Sequence, residues 1–186
     1  MKEKEIIQYC KQGDQRGFKA LVEQYAPKLM GICIRYLQNE FEAKDAVQET
    51  FIKVFQNIEN YKTTGNFSGW LRKIAINTSL VALRKKRNGF AFLENTGLDE
   101  EWKYEAEIEI ELNEQDILNM IQSLPEHYRI IFNLALIEGY SHVEIAKLLG
   151  IQESTSRSKL TRARKKLQII YLNRMRETEN IKYKIR

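Results

Sequence analysis

At 186 residues with 43% apolar side chains, the chain is long enough for one ordinary domain or two small ones and too apolar to be a disordered tail. Only 2 Pro and 9 Gly stand among recurrent Ala, Leu, Glu, Lys, Gln and Ile, which predicts an all-α fold and argues against a turn-rich sandwich. The net charge of +5 hides an uneven spread: residues 88–116 hold ten acids against Lys103 alone, a local charge of −9 that leaves +14 on the remainder, as suits modules that approach a polyanion.

The first helix signal has Asp14 as N-cap, then Phe18, Leu21, Val22 and Tyr25 at the spacing of one buried face. Pro27 is read as opening the next turn, and Leu29, Met30, Ile32, Cys33, Tyr36 and Leu37 continue an apolar helix to Asn39. Asn39 caps a third helix, with Glu42 three positions on. At 100° per residue that helix turns Val47, Phe51, Val54, Phe55 and Ile58 toward the core. Its other side carries Asp45, Gln48, Glu49, Ile52 and Gln56, an apolar residue inside a polar rim, as a partner surface needs. Residues 57–69 break the pattern before Trp70, Leu71, Ile74, Ala75 and Leu83 resume helical spacing.

Residues 88–113 lack periodicity and read as an acidic linker. A second unit spans 114–172, with Ile117, Ile121 and Leu124 on one face, Pro125 opening a helix that buries Ile130, Ile131, Leu134 and Ile137, and Gly139 ending it. Ser141 and Glu144 fit a capping box; Val143, Ile145, Ala146, Leu148 and Leu149 supply a core face, Gly150 stops the helix left-handed, and another starts near Glu153. This is a helix-turn-helix, with Leu160 and Leu167 expected to fix the second helix on the first. The outer face carries Arg157, Ser158, Thr161, Arg162, Arg164 and Lys165, side chains that donate to guanine edges or hold phosphates in a major groove. A solvated helical hairpin is the plain alternative.

No apolar run approaches the roughly 18 residues of a membrane span, and residues 1–5 lack a signal-peptide core, so the expected location is the cytoplasm. Cys10 and Cys33 are read as reduced packing residues. With two His, His127 and His142, no zinc set assembles, so neither metal nor cofactor is expected.

The run Asp45-Ala46-Val47-Gln48-Glu49-Thr50-Phe51-Ile52-Lys53 resembles the segment by which sigma-70 family proteins grip the clamp helices of RNA polymerase. Residues 61–77, YKTTGNFSGW followed by LRKIAIN, are similar to that family's melting loop and promoter-reading helix. Leu124-Pro125-Glu126, Glu138-Gly139-Tyr140-Ser141, Glu144-Ile145-Ala146 and residues 161–167 resemble its domain four. The motifs cover most of residues 15–168 in family order, and so short a chain resembles the extracytoplasmic-function group.

The resemblance implies a sigma factor and not an enzyme, with domain two at 1–87, a linker at 88–113, domain four at 114–172 and a frayed basic tail at 173–186. It implies core polymerase binding through Asp45, Gln48, Glu49 and Ile52. It also implies a pocket for an unstacked minus-ten base in residues 61–68, with Tyr61 and Phe67 as stacking or wall residues, Asn66 as a hydrogen-bonding group and Trp70 at its end; a loop packed by its own aromatics is the plain alternative, for Phe67 above all. Asn77 would read the base, and Arg84, Lys85, Lys86 and Arg87 would hold phosphates. Arg157, Ser158, Thr161, Arg162, Arg164 and Lys165 would face the minus-thirty-five element. The implied partners are bacterial core RNA polymerase, promoter DNA and an anti-sigma factor; the linker resembles the segment that threads near the polymerase active centre. Ile76 and Val81 depart from the Arg and Asp of many relatives, which removes an intrahelical ion pair. Ser156 replaces a usual Val, and its hydroxyl costs stability unless it bonds a backbone carbonyl. A regulator with a sensory N-terminal half would leave the clamp-like helix unexplained, and a nuclease would need the acids of the linker in a metal-binding spacing they lack.

Overall fold

The computed structural model describes residues 1–62, 65–86, 89, 93 and 114–184, which fall into two compact units, Met1–Asn88 and Gly89–Arg186. All regular structure among the described residues is helical, as composition predicts. No described helix is long and apolar enough to cross a membrane.

The first unit contains α1 (Glu3–Lys11), α2 (Gln15–Leu37), α3 (Glu40–Asn57), a 3-10 turn (Ile58–Asn60) and α4 (Phe67–Lys86). Two helix starts are fixed locally by side chains that accept otherwise unpaired backbone N–H groups. Asp14 Oδ1 accepts from Arg16 N at 2.8 Å, and Asn39 Oδ1 accepts from Phe41 N at 2.8 Å and Glu42 N at 3.2 Å. Around α2 the core closes on Leu21, Leu29, Cys33 and Tyr36, with Val54 from α3 and Leu71, Ala75 and Leu83 from α4, all buried. Burial of each large aliphatic here contributes roughly 1.5–3 kcal/mol.

Three expectations for this unit are corrected. Helix α1, absent from the sequence reading, buries Ile6, Ile7 and Cys10. Pro27 lies inside α2 and does not open a new turn; it is exposed, so the carbonyl left without its N–H partner faces solvent, where water can satisfy it. Val22, placed on the buried face, is 37% exposed.

Both cysteines are free and buried, and burial pushes the Cys10 thiol up to about 11 and raises that of Cys33. A raised native pKa favours the protonated thiol. Stability from this source is complete below the ordinary value near 9.0 and is lost as pH climbs through the native one, because the unfolded chain releases its protons first. Melting temperature is therefore expected to fall between about pH 9 and 11, with alkylation of both thiols tracking unfolding; thermal melts across that range, with and without iodoacetamide, check this.

The second unit contains α5 (Glu114–Ser123), α6 (Glu126–Phe132), a π turn (Asn133–Ile137), α7 (His142–Leu149) and α8 (Glu153–Lys184). Pro125 precedes α6 as its N-cap, and Gly139 leaves the π turn with φ 76°. Ser141 and Glu144 form the predicted capping box, with Glu144 N donating to Ser141 Oγ at 3.3 Å and Ser141 N to Glu144 Oε2 at 2.8 Å. Gly150 is left-handed at φ 69°, and its N–H and that of Ile151 both reach Ala146 O, at 2.9 and 3.1 Å.

Leu124, Tyr128 and Ala163 centre a core that Phe132, Leu167 and Ile170 extend. Leu167 packs on this cluster, beside Tyr128 of α6, and Leu160 is buried on the same helix. Val143 and Ile117, both assigned to core faces, are 47% and 45% exposed. The stretch from Asn173, expected to fray, is helical as far as Lys184. Apart from Gly89 and Leu93, of which Leu93 is fully buried, the expected linker lies outside the described residues.

Candidate functional site

On α3 the side chains of Asp45, Gln48, Glu49, Ile52 and Gln56 are all exposed, while Ala43, Ala46, Thr50, Phe51 and Val54 turn inward. Thr50 sits fully buried because its hydroxyl donates to Ala46 O at 2.6 Å. Ile52 is 49% exposed among the acids and amides. Phe41, which the sequence reading did not single out, is 78% exposed. Positions 41, 45, 48 and 52 recur at i, i+4, i+7 and i+11, so Phe41 belongs to the same stripe. The spacing carries that signal, but Phe41 sits outside the motif that drew attention to the helix.

The loop after α3 follows the plainer of its two readings, packed by its own aromatics. Tyr61 is 7% and Phe67 1% exposed, so neither has a face to offer a base. Their rings bury one another: Tyr61 lies 5.0 Å from both Phe67 and Trp70, and Phe67 meets Tyr25 edge-on at 5.6 Å. Edge-to-face and tilted aromatic pairs gain about 0.5–1.5 kcal/mol beyond area burial, which is why the rings collapse on the core and do not line an opening. Asn66 is exposed, but its Oδ1 accepts from Gly69 N at 3.0 Å and caps α4. Thr63 and Thr64 lie outside the described residues.

An open groove of about 350 Å³ lies beside that loop, lined by Lys53, Asn57 and Asn60 from one side and Trp70, Ile74, Asn77, Thr78 and Val81 from the other. Of the expected pocket residues, it brings together Trp70 and Asn77. Lys53 is anchored at its edge, 3.3 Å from Thr78 Oγ1 and 3.3 Å from Glu49 Oε1. Positions 53 and 57 on α3, with 60 in the 3-10 turn that follows it, and 70, 74, 77 and 81 on α4 are again stripes at helical spacing, legible only once the two helices are known to be neighbours. An indole wall with amide groups above it can take the face and the edge of an unstacked base. Ile76, by contrast, is buried in the core.

Arg84 and Lys85 are exposed in the last turn of α4, where cations also suit the negative helix end. Lys86 pairs with Glu42 at 2.8 Å, and Arg87 lies outside the described residues.

On α8, Arg157, Thr161, Arg164 and Lys165 are exposed and Ser158 and Arg162 half-buried, all on one side. Thr155, Ser156, Lys159, Leu160 and Ala163 form the buried opposite side. The hydroxyls of Ser158 and Thr161 donate to Thr155 O and Arg157 O of their own helix, at 3.1 and 3.2 Å. Arg157 Nε donates to Glu153 Oε1 at 3.0 Å.

The buried Ser156 hydroxyl meets His142 Nδ1 at 2.8 Å, linking α7 to α8, where a backbone carbonyl was the expected partner. Burial of His142, and then the nearby Arg157, hold its imidazole below the usual value, with Glu153 opposing and Arg164 reinforcing the shift. Lys159 is buried on the opposite side of α8 with its ammonium 5.5 Å from the centroid of the Tyr128 ring. Arg129, also buried, donates to Leu124 O at 2.9 Å, and desolvation pulls its pKa down to about 10.

Among the described residues no group of three His, Cys, Asp or Glu could hold a metal ion. The family model for Sigma-70 region 2 matches residues 21–89, and that for Sigma-70, region 4 matches residues 114–167. The chain is 31% identical over 177 residues to the ECF RNA polymerase sigma factor SigW of Bacillus subtilis, covering 89% of this chain and 94% of that one. It is 31% identical to the RNA polymerase sigma-H factor of Pseudomonas aeruginosa, covering 87% and 90%. Its fold is similar to that of the sigma factor RpoE from Bartonella quintana, solved in complex with the anti-sigma factor NepR, with a TM-score of 0.51 at 23% identity over 83% of this chain and 96% of that one.

Proposed function

This chain belongs to the extracytoplasmic-function sigma factors of the sigma-70 family, and on that premise we propose how its surfaces divide the work of initiation. Helix α3 docks on the polymerase clamp helices through Asp45, Gln48, Glu49 and Ile52, with Phe41 extending the contact by one turn. Residues around the adjoining groove hold an unpaired minus-ten base, stacked against Trp70 and read by Asn77, while Arg84, Lys85 and Arg87 bind flanking phosphates. Helix α8 enters the major groove of the minus-thirty-five element with Arg157, Ser158, Thr161, Arg162, Arg164 and Lys165 toward the duplex. No bond is made or broken by the chain; it lowers the cost of opening by holding a base that would otherwise restack.

The observation that carries this reading is the two-sided use of α3. Its exposed stripe keeps Ile52 in a polar rim, and its last turns give Lys53 and Asn57 to the groove, so one rigid rod can couple a protein partner to an opened strand. The Bartonella quintana relative was solved with an anti-sigma factor, and a protein of that class is the regulator we assign to this chain.

Transcription in vitro with bacterial core polymerase and genomic templates tests the reading, the expected result being initiation at new, mappable start sites. Initiation unchanged by added protein would overturn it. Asn77→Ala and Arg157→Ala are each expected to lower promoter use about tenfold, since one base contact is worth about 1–3 kcal/mol, with core affinity unchanged. Run-off transcription beside a core-binding titration separates the two effects.

A further inference from the structure

Helix α1 lies ahead of residue 21, where the region 2 match begins, and the structure ties it to the loop next to the groove. Lys11, in its last turn, donates from Nζ to the main-chain carbonyl of Tyr61 at 2.8 Å, across fifty positions of sequence. Tyr25 donates its hydroxyl to Glu3 Oε2 at 2.7 Å, holding the other end. Gly17 lets the last turn of α1 seat directly on the backbone of α2: a Cβ there would stand 2.6 Å from Tyr9 Cβ and 2.7 Å from Cys10 N.

Tyr61 is where the chain leaves the 3-10 turn that ends at Asn60. Its N–H donates to Ile58 O at 3.1 Å and its hydroxyl to Gly65 O at 2.6 Å, so both ends of the residue define the bend. Its ring touches Trp70 at 5.0 Å, and Trp70 is a wall of the groove. A continuous set of contacts therefore runs from the Lys11 ammonium through Tyr61 to the groove. The ammonium also meets a carbonyl just past the end of α3, where helix carbonyls concentrate negative charge. A half-buried lysine held this way loses rotamer freedom that a solvated lysine keeps, and packing alone would be served by an apolar side chain.

We propose that Lys11 is a positioning residue for promoter opening: by fixing the Tyr61 carbonyl it sets Trp70, and the groove has its base-receiving shape before DNA arrives. The proposal rests on the reading of the groove as the site of an unpaired base. Lys11 touches no DNA in this scheme and acts only through Tyr61.

The test uses holoenzyme formed with full-length Lys11→Met, Lys11→Arg and Asn77→Ala chains. The probe is a labelled single strand spanning the minus-ten region of a promoter on which the wild-type holoenzyme initiates. Lys11→Met is expected to weaken strand binding about tenfold, the scale of one charge-assisted hydrogen bond. Lys11→Arg should restore it, while core affinity and binding of a minus-thirty-five duplex stay at wild-type values. Wild-type strand binding by Lys11→Met with a loss in Asn77→Ala overturns the role of Lys11 and leaves the groove reading intact. Wild-type binding by both variants removes the groove reading and the proposal with it. A loss in Lys11→Met that extends to duplex binding, or that Arg does not restore, reduces Lys11 to general support of the fold and also overturns the proposal.

Discussion

Ile52→Asp is expected to weaken association with core polymerase by about a hundredfold, the equivalent of about 3 kcal/mol at a central anchor position. The side chain is 49% exposed and has exposed Asp45, Gln48 and Glu49 as neighbours on its stripe. Substitution removes the one aliphatic group at the centre of that rim and adds a third carboxylate that must be desolvated on docking. The free protein should tolerate the change. Ile52 is not among the buried core residues, and aspartate inside a helix costs only about 0.5 kcal/mol relative to good helix formers. A binding titration with labelled core, set beside a thermal melt, checks both halves. Undiminished affinity would remove α3 from the docking surface. Phe41→Ser, at the far end of the same stripe, should act in the same direction with a smaller effect.

Gly17→Ala should destabilise the first unit by about 3 kcal/mol, at the upper end of what over-packing costs. Helix propensity alone gives the opposite sign, since Ala is favoured over Gly by about 1 kcal/mol in a helix interior. Geometry decides between them. The added Cβ would approach Tyr9 Cβ at 2.6 Å, Cys10 N at 2.7 Å and Tyr9 C at 2.9 Å, and because two of these are main-chain atoms no rotamer change makes room. Helix α1 must move away, giving up the burial of Ile6, Ile7 and Cys10. Gly31, in the same helix with nothing within 4 Å of its Cβ position, provides the contrast: Gly31→Ala should stabilise by up to about 1 kcal/mol. Denaturant melts of both variants, with hydrogen exchange across residues 3–11, distinguish helix release from global loss. A stabilised Gly17→Ala would show that the close approach is not a constraint.

These two substitutions also mark what could be read from the residues in order. Helix starts at Asp14, Asn39 and Ser141 and the stop at Gly150 were legible because each cap is decided within four residues. The exposed stripe of α3 was legible because a single helix projection contains it. Helix α1 was not, since two and a half turns with three buried residues look like many surface segments until Gly17 reveals the neighbour it packs on. Pro27 misled for a related reason. A missing N–H argues against a helix interior, yet on the solvent side of a 23-residue helix water can replace the lost bond. The loop showed the converse. Tyr61 and Phe67 have the chemistry to stack on a base, but Tyr25 and Trp70 have it as well, and four rings close together bury each other first. Their neighbours at the groove, Lys53, Asn57 and Asn60, come from α3 and the turn after it, and sequence order does not show which helices adjoin.

One turn ahead of Arg157, Glu153 holds its guanidinium within the helix itself. Exposed pairs at this spacing contribute only about 0.3–0.5 kcal/mol, so a duplex can take the arginine from its carboxylate at small loss. The balance of ions is affected more than the energy. Each phosphate neutralised by a protein cation frees close to one condensed counterion, but a carboxylate left facing the polyanion offsets part of that release. The helix should therefore be less sensitive to ionic strength than its row of cations suggests, with a weaker pull toward arbitrary duplex. If α8 reads the minus-thirty-five element as proposed, what remains to hold it at one place is a guanine edge offered to Arg157.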